Sequence, residues 1–380
     1  MAVRSTIYEV ARRSGVSTAT VSRVMADGTG FSAATRDRVR ATAAELGWFP
    51  NGPARGLASR RTGIVGLIFP DLGGSGGAEE ESALYVDQVI RGAERAATAA
   101  GNAVMIAATQ TESGRKLAMS VAAKVDGLVV LARSLPDEDI VTISSTVPVV
   151  LLASHLAAGN TDCVRADNRS GSRAITEHLI ATHQIAELAF VAGPDGSPDS
   201  DERFAGFREA LRAAGLPVPR RPAASGGFTE SGGEQAVRRL LATGGRPEAI
   251  VCGNDEMALG ALAALRDARL RVPAEVAVTG FDDIAAARHV RPSLSTVRQP
   301  MRALGERSVG LLLERIAAQD QHRRDQHRRD QHGRDQHGRD QHGQDQHGQV
   351  AVLPVEPVIR RSCGCPGRGT AGQLTGRERR

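Results

Sequence analysis

The chain has 380 residues, 41% of them hydrophobic, which is enough for a small N-terminal domain and two further lobes of ordinary size. No apolar run reaches the roughly 18–20 residues of a membrane-spanning helix, and residues 1–6 are too few and too polar for a secretory signal, so we expect a soluble, cytoplasmic protein. The net charge of +5 is concentrated in residues 1–61, which hold ten arginines and four acidic residues. This uneven charge indicates a polyanionic partner for the N-terminal region alone.

Two short helices joined by a tight turn are predicted at the N-terminus. Thr6 and Glu9 have the spacing of a capping box, Gly15 suits the turn, and Ser17 can cap the second helix. The outer face of the second helix is polar or small, and it carries Thr18, Ala19, Ser22 and Arg23. This pattern predicts a helix-turn-helix unit whose second helix enters the major groove of DNA, closed by a third helix after Ser32.

Residues 51–61 form a short segment that we interpret as a hinge. Asn51 can cap it and Pro53 suits a first helical turn, but Gly52 and Gly56 make it a poor helix on its own. Such a segment can fold when it meets DNA, which would couple binding to ordering.

Several short motifs follow one another in order through residues 6–57. They are Thr6-Ile-Tyr-Glu-Val-Ala11, Gly15-Val-Ser17, Thr20-Val-Ser-Arg-Val24, Pro50-Asn51 and Ala54-Arg55-x-Leu57. In this order and spacing they resemble the lactose/galactose repressor (LacI/GalR) family. The resemblance implies a sequence-specific DNA-binding head over residues 1–50.

The resemblance also implies which side chains meet DNA. Arg23 would read a guanine through its fork of donors, and Leu57 would be inserted into the minor groove at the operator centre. The alternatives are a solvated helix charge and an ordinary packed leucine. The full set of expected DNA-binding residues is Thr6, Ser17, Thr18, Ala19, Thr20, Ser22, Arg23, Asn51, Arg55 and Leu57. Ala26 departs from the family, which usually has Asn there, so a contact at this position is in doubt.

Beyond residue 62, short apolar strands alternate with longer amphipathic helices. Predicted strands are 64–69, 103–107, 127–131, 147–152, 188–192, 249–252 and 276–280. Predicted helices include 82–100, 170–181, 201–214, 230–242 and 255–268. This alternation predicts an α/β body with parallel sheets covered on both faces, whose ligands bind at the carboxyl ends of the strands.

Motifs in the body continue the resemblance, among them Asp167-Asn168, Arg203-Phe-Ala-Gly206, Gly253-Asn-Asp255 and Gly280-Phe-Asp-Asp283. They imply a two-lobed fold similar to periplasmic binding proteins, over residues 62–365, with three crossings between the lobes. The first lobe is expected to take residues 62–163 and 293–319. The second is expected to take residues 164–292 and the final strand, within 350–362.

The same resemblance implies a small, sugar-like effector in the cleft between the lobes. The expected effector-binding residues are Asp71, Arg203, Phe228, Asn254, Asp282 and Gln299. Two of them have a structural alternative, because Asp282 can cap a helix and Asn254 can shape a turn. The Gly- and Glu-rich loop 71–82 and Ala153, where an Asp is common, depart from the family and leave the effector open.

No catalytic residues or cofactor are expected. The glycine loop lacks the third Gly or Ala of a dinucleotide site and has no Gly-Lys-Ser/Thr, and no Gly-x-Ser-x-Gly elbow or zinc-helix motif occurs. Cys163 and Cys252 are isolated, and Cys363 and Cys365 lack the spacing of a zinc site. We therefore expect all four to be buried or spectator thiols, with no metal bound.

Residues 320–349 are six copies of a five-residue unit that begins Asp-Gln-His. With no apolar residue and a period of five, the segment is expected to be disordered, between a helix at 301–318 and a strand at 350–359. A tolerated insertion is one interpretation, and weak metal binding by its histidines is the other. The tail 366–380 is also expected to be disordered.

Together these features predict a transcriptional regulator, most simply a repressor. Two chains would pair through their bodies, as a dimer or a tetramer, and present two heads to a palindromic double-stranded DNA operator at the nucleoid. An effector in the cleft would change DNA binding. A solute-binding protein without DNA and an α/β enzyme are the competing classes, and the basic head argues against both.

Overall fold

The structure is a computed structural model that describes residues 5–25, 28–48, 61–70, 83–109, 114–154, 161–332 and 348–366. It divides into an N-terminal unit, Met1–Ile64 with Lys124–Asp126, and a larger unit formed by the rest, and each is considered by itself below. Within the described residues, no helix is both long and apolar enough to cross a membrane.

The N-terminal unit contains the three predicted helices, namely α1 (Ile7–Ser14), α2 (Thr18–Met25) and α3 (Ala33–Glu45). Gly15 ends α1 in the left-handed conformation, at φ 67°, and the Ser17 hydroxyl accepts the Thr20 N–H at 3.1 Å, both as predicted. The prediction of a capping box at Thr6 is wrong, because the Thr6 side chain makes no cap hydrogen bond. The Glu9 N–H instead donates to the Thr6 carbonyl oxygen at 3.0 Å, so the hydroxyl is not needed there.

A small core fixes the second helix against the other two. Its fully buried residues include Val10, Val21, Val24 and Val39, one or two from each helix. Arg38 also donates from Nε to the Ser14 carbonyl oxygen at 2.9 Å, which satisfies an acceptor left free at the end of α1. The opposite face of α2 therefore stays available to a partner.

The first lobe is built on a six-stranded sheet in the order β11-β5-β4-β3-β1-β2. The strands are β1 (Ile64–Pro70), β2 (Ala103–Thr109), β3 (Gly127–Leu131), β4 (Val149–Leu152), β5 (Asp162–Ala166) and β11 (Val350–Leu353). Its helices are α4 (Ala83–Ala99), α5 (Gly114–Ala122), α6 (Asp137–Ser144) and α12 (Met301–His332). The pairings of β3 with β1 and β4, and of β5 with β4 and β11, are parallel, as the alternation predicted.

The second lobe has a four-stranded parallel sheet in the order β7-β6-β8-β9. Its strands are β6 (Leu188–Ala192), β7 (Ala224–Ser225), β8 (Ala249–Cys252) and β9 (Ala277–Thr279). Its helices are α7 (Asn168–His183), α8 (Pro198–Ala213), α9 (Glu230–Ala242), α10 (Asp255–Asp267) and α11 (Ala286–His289). Phe190, Phe207 and Ile250 lie fully buried between the sheet and its helices.

The predicted lobe boundaries need two corrections. A boundary at residue 163 would cut β5, which lies wholly in the first sheet, and β11 also belongs to that sheet rather than to the second lobe. The predicted strand 350–359 is two strands, because Pro354 has no N–H to continue the ladder. After it, β12 (Glu356–Val358) pairs antiparallel with β10 (Thr296–Arg298), and only then does the chain reach the second lobe.

The repeat also differs from expectation. α12 continues through residues 320–332, so disorder is wrong for that part of 320–349. Asp, Gln, His and Arg all tolerate a helix, and residues 320–332 contain no glycine. Residues 333–347 and 367–380, for which disorder was also predicted, lie outside the described residues.

Candidate functional site

A cavity of about 130 Å³ lies between the two lobes, at the carboxyl ends of their strands. Residues after β3, β4, β6, β8 and β9 reach it, because parallel strands bring their carboxyl ends to one edge of each sheet. The predicted effector residues Arg203, Phe228, Asn254, Asp282 and Gln299 all line it. Asp71 lies outside the described residues.

Arg203 is fixed in the cavity wall by the protein itself. Its side chain projects from α8 and is almost fully buried, and its Nε donates to Asn168 Oδ1 at 2.8 Å. Nη1 donates to the Gly253 carbonyl oxygen at 2.7 Å. The guanidinium carbon also lies 3.9 Å from the centroid of the Phe281 ring. These contacts hold a rigid positive charge at one place in the wall.

Asp282 lies beside this charge and carries the acceptors of the site. Its Oδ1 is 3.7 Å from Arg203 Nη1, so the two form an ion pair without a direct hydrogen bond. The same oxygen accepts from Gln299 Nε2 at 2.5 Å. Gln299 Oε1 is buried and accepts no hydrogen bond from the described residues. The cavity wall therefore offers a carboxylate and an unused amide acceptor side by side.

Burial sets the protonation of this wall. It raises the pKa of Asp282 to about 6, although Arg203 and Gln299 favour the charged form. Behind it, burial and the nearby Asp282 charge raise the pKa of Asp255 well above its usual range. Asp255 accepts from Thr296 Oγ1 at 2.5 Å and from the Ile284 N–H at 2.9 Å, so its contacts hold the loop that carries Asp282.

Two aromatic rings complete the lining. The ring of Phe228 lies 5.7 Å from the Arg203 guanidinium, and Gly193 leaves room for it, since a Cβ at that position would lie 2.4 Å from the ring. Tyr85 reaches the cavity from α4, and burial, followed by the charge of Asp199, raises its pKa well above 10. The phenol therefore stays protonated and can act as a donor or an acceptor.

Asn254 lines the cavity, yet its polar atoms are used within the protein. Its Oδ1 caps α10 by accepting the Met257 N–H at 3.0 Å, and its Nδ2 donates to the Phe228 carbonyl oxygen at 3.0 Å. These hydrogen bonds agree with the alternative role of Asn254, which is to shape a turn. Asn254 positions the Phe228 loop.

Sequence reasoning missed three residues of the site. Tyr85, Asp199 and Asn168 are absent from the predicted site, although Asn168 belongs to the Asp167-Asn168 motif. Asn168 bridges the site, because it accepts from Arg203 and donates from Nδ2 to Asp199 Oδ1 at 2.8 Å. Tyr85 had no signal in the sequence, since an isolated tyrosine on an amphipathic helix is typical of a packed core.

The N-terminal unit presents the predicted reading face. Ala19, Ser22 and Arg23 are exposed on α2, and the Arg23 guanidinium lies 5.1 Å from the centroid of the Phe31 ring. Ser17 and Thr20 join their hydroxyls at 2.9 Å at the start of the helix, and Thr6 is exposed. Of the other predicted DNA-binding positions, Thr18 is half-buried on α2. Asn51, Arg55, Leu57 and the departure at Ala26 lie outside the described residues.

Comparison with known proteins gives matches over both units. Residues 6–51 match the family model for bacterial regulatory proteins of the lacI family, and residues 176–334 match a periplasmic binding protein-like domain. The HTH-type transcriptional regulator GalR of Escherichia coli (strain K12) is 32% identical over 313 residues, which are 81% of this chain and 88% of that protein. The ribose operon repressor of the same organism is 32% identical over 317 residues, covering 82% and 93%.

Solved structures of transcriptional regulators also superpose on this chain. The lac repressor dimer bound to operator and the anti-inducer ONPF superposes with a TM-score of 0.74 at 27% identity, covering 95% of this chain and 99% of that one. The complex of the transcriptional regulator CelR with cellobiose gives a TM-score of 0.66 at 29% identity, covering 94% and 100%. The two-lobed body, the helix-turn-helix head and the sequence matches lead to one assignment: the chain belongs to the LacI family of DNA-binding transcriptional regulators.

Proposed function

We propose that this regulator is a repressor that binds a palindromic operator as a homodimer and is controlled by a small sugar, or a sugar derivative, in the inter-lobe cavity. The observation that supports the effector most directly is the wall formed by Arg203, Asp282 and Gln299. It offers a fixed cation, a carboxylate and an unused amide oxygen beside two aromatic rings.

Such a wall suits a polyhydroxylated ligand. Neighbouring sugar hydroxyls can donate to Asp282 and to Gln299 Oε1 and accept from Arg203, while the apolar face of a sugar ring packs on Phe228 or Tyr85. The names of two similar proteins agree with this chemistry, since one is a ribose operon repressor and the other was solved with cellobiose. Under this proposal the cavity has no catalytic role, and the protein acts in the cytoplasm, at the nucleoid.

The DNA half of the proposal rests on the exposed face of α2. Arg23 would contact a guanine in the major groove, with Thr18 and Ala19 beside it, while Ser17, Thr20 and Ser22 would hold phosphates. The lac repressor was solved as a dimer on its operator, and a dimer places two such helices on two half-sites. Thr6, Asn51, Arg55 and Leu57 are proposed to contribute the remaining contacts.

A mobility-shift selection from genomic fragments at a stated salt concentration tests the DNA half. A selective complex at about 10⁻⁸–10⁻¹¹ M, with a palindrome in the enriched fragments, is expected. The absence of any sequence-selective complex at about 100 nM would contradict the proposal.

The effector half needs a separate screen. Thermal-shift measurements with sugars, nucleosides and sugar phosphates should find a stabilising sugar-class ligand, and that ligand should change the operator affinity. A ligand that stabilises the protein without changing operator affinity would contradict effector control. If only nucleosides stabilise it, the sugar assignment would be wrong.

A further inference from the structure

Four side chains with metal-binding chemistry meet where the C-terminal segment packs on the second lobe. His178 and His183 lie in the last turns of α7, and Cys363 and Cys365 flank Gly364 near the end of the described chain. One ligand atom from each of the four lies within 4.8 Å of every other. None of these residues lines the inter-lobe cavity.

The distances between these atoms match those of a tetrahedral zinc site. Cys365 Sγ lies 3.5 Å from His178 Nε2 and 3.4 Å from His183 Nε2, and Cys363 Sγ lies 3.6 Å from His178 Nε2. Zinc binds Cys sulfur at about 2.3 Å and His nitrogen at about 2.0–2.1 Å, so the tetrahedral angle sets neighbouring sulfur and nitrogen ligands about 3.6 Å apart. The four atoms therefore already surround a position that suits one ion.

The surroundings orient the ligands toward that position. Thr182 Oγ1 lies 3.2 Å from His178 Nδ1, a contact that fixes the ring and turns Nε2 toward the sulfurs, as outer partners of metal-bound histidines do.

Glycine is required between the two cysteines. Gly364 has φ 106°, and a Cβ there would lie 3.2 Å from the His183 ring. The turn can therefore bring both sulfurs close to the histidines only because residue 364 has no side chain. A Cys-Gly-Cys turn of this shape presents two thiols on one side of the chain.

We propose that His178, His183, Cys363 and Cys365 bind one structural Zn²⁺ ion. Four protein ligands leave no open position, which is typical of a structural site, and two thiolates with two imidazoles suit zinc better than the oxygen-binding cations. The ion fastens residues 363–365 to α7. Ser362, one residue earlier, is already tied to β9, since it accepts the Val278 N–H at 3.0 Å.

The test starts from the reduced, tag-free, full-length protein after a chelator has removed its bound metal; this protein is titrated with Co²⁺, which is then displaced with Zn²⁺. One equivalent of Co²⁺ should give thiolate-to-cobalt charge-transfer absorption and the intense visible bands of a tetrahedral site, and Zn²⁺ should abolish both. This absorption separates the site from the His-rich repeat, which has no cysteine between residues 320 and 349. Zinc analysis of the protein as purified should give one tightly held ion per chain.

Matched variants assign the ligands. Cys365→Ser and His183→Gln change residues that are not fully buried and should lose the cobalt spectrum, whereas Cys252→Ser and the exposed His289→Gln should keep it. Thr182→Val should keep the spectrum but weaken zinc binding about 10- to 100-fold, because it loses only the outer contact to His178.

Three results would overturn the proposal. The first is the absence of a thiolate band in the wild type, and the second is an undiminished band in Cys365→Ser. The third is a Cys363–Cys365 disulfide, found by mass spectrometry in metal-free protein as isolated under reducing conditions. None of them would bear on operator or effector binding.

Discussion

At the scale of single residues, the body uses burial to keep charged groups in defined roles. Asp282 and Asp255 are both buried carboxyl groups, yet Asp282 faces the cavity and Asp255 holds the loop behind it. Arg203 is equally buried, and its charge is stabilised by the amide oxygen of Asn168, the carbonyl oxygen of Gly253 and the face of the Phe281 ring. A buried charge with this many partners is expensive to rearrange, so the site is preorganised.

Protonation of Asp282 should control effector affinity. Because its pKa is raised to about 6, the carboxyl is protonated below that pH in the free protein and ionised above it. A ligand hydroxyl that donates to the carboxylate binds the ionised form, so affinity should fall about tenfold per pH unit below about pH 6 and stay level above it. Calorimetric titration of the screened ligand across this range measures the effect.

Asp282→Asn provides the control for that measurement. The variant should bind the ligand weakly and with no step near pH 6, and it should keep the operator affinity of the wild type. A wild-type affinity that does not change between about pH 5 and about pH 8 would show that the carboxylate is not a ligand contact.

On the head, Arg23→Ala should cost sequence selectivity. The guanidinium is exposed and rests near Phe31, so its removal leaves the core of Val21 and Val24 intact. Loss of a bidentate guanine contact should cost about 1–3 kcal/mol of discrimination, or about 5- to 150-fold in relative affinity. Competition mobility shifts with operator and random DNA measure the ratio. Arg12→Ala, an exposed change on α1, is the control; equal losses in both variants would indicate a general charge effect.

At the scale of elements, local chemistry decided which predictions succeeded. The three helices of the head follow from a glycine turn and serine caps that act within a few residues. The strands β7 and β10 were not predicted, because strands of two or three residues are too short to show an alternating pattern. The placement of β11 depends on pairing with β5, about 190 residues earlier, and no local pattern reports such a partner.

The candidate sites divide in the same way. Resemblance in sequence predicted five residues that line the cavity, because they fall at positions that match those of the family's effector site. Tyr85 and the Cys₂His₂ cluster could not be found in this way, since each depends on residues that only the tertiary fold brings together. The capping role of Asn254 was predicted as an alternative, and only its hydrogen bonds distinguish that role.

Close packing of α9 on α10 gives a prediction for one glycine. A Cβ at Gly260 would lie 1.9 Å from the Glu230 carbonyl oxygen, so Gly260→Ala must push the two helices apart. We expect a loss of about 1–3 kcal/mol in the free energy of unfolding, measured by urea denaturation. Gly310→Ala is the matched control on α12, where the nearest atom is 4.0 Å away, and it should stabilise by about 0.5–1 kcal/mol. Equal effects at both glycines would contradict the packing argument.

At the scale of the whole molecule, residues on either side of the repeat contact the same side chain of the body. Arg315, on α12, donates to Asp162 Oδ2 at 3.0 Å, and the Gln349 N–H donates to Asp162 Oδ1 at 2.7 Å. The chain therefore leaves and re-enters the body at the same carboxylate. Between them, the described side chains of residues 321–326 are exposed.

Deletion of residues 320–343 should accordingly leave the regulator intact. The six residues 344–349 would still connect α12 to β11. Loop-closure entropy changes slowly with length, so the melting temperature, operator affinity and effector response should stay near wild-type values. Differential scanning calorimetry and mobility shifts check this. A lost response to nickel or zinc ions in the operator assay would instead support a metal-sensing repeat.

The path of the last described residues has a consequence for biosynthesis. β11 is an edge strand of the first sheet, and Ser362 closes onto β9 of the second, so both lobes take structural parts from residues 350–362. A ribosome delivers these residues only after the head and most of both sheets have emerged. The head can fold early, as N-terminal domains do, but neither lobe is complete until residues 350–362 have emerged. Transcripts or ribosomes that stop short of residue 350 would therefore release a chain with a folded DNA-binding head and an unfinished body.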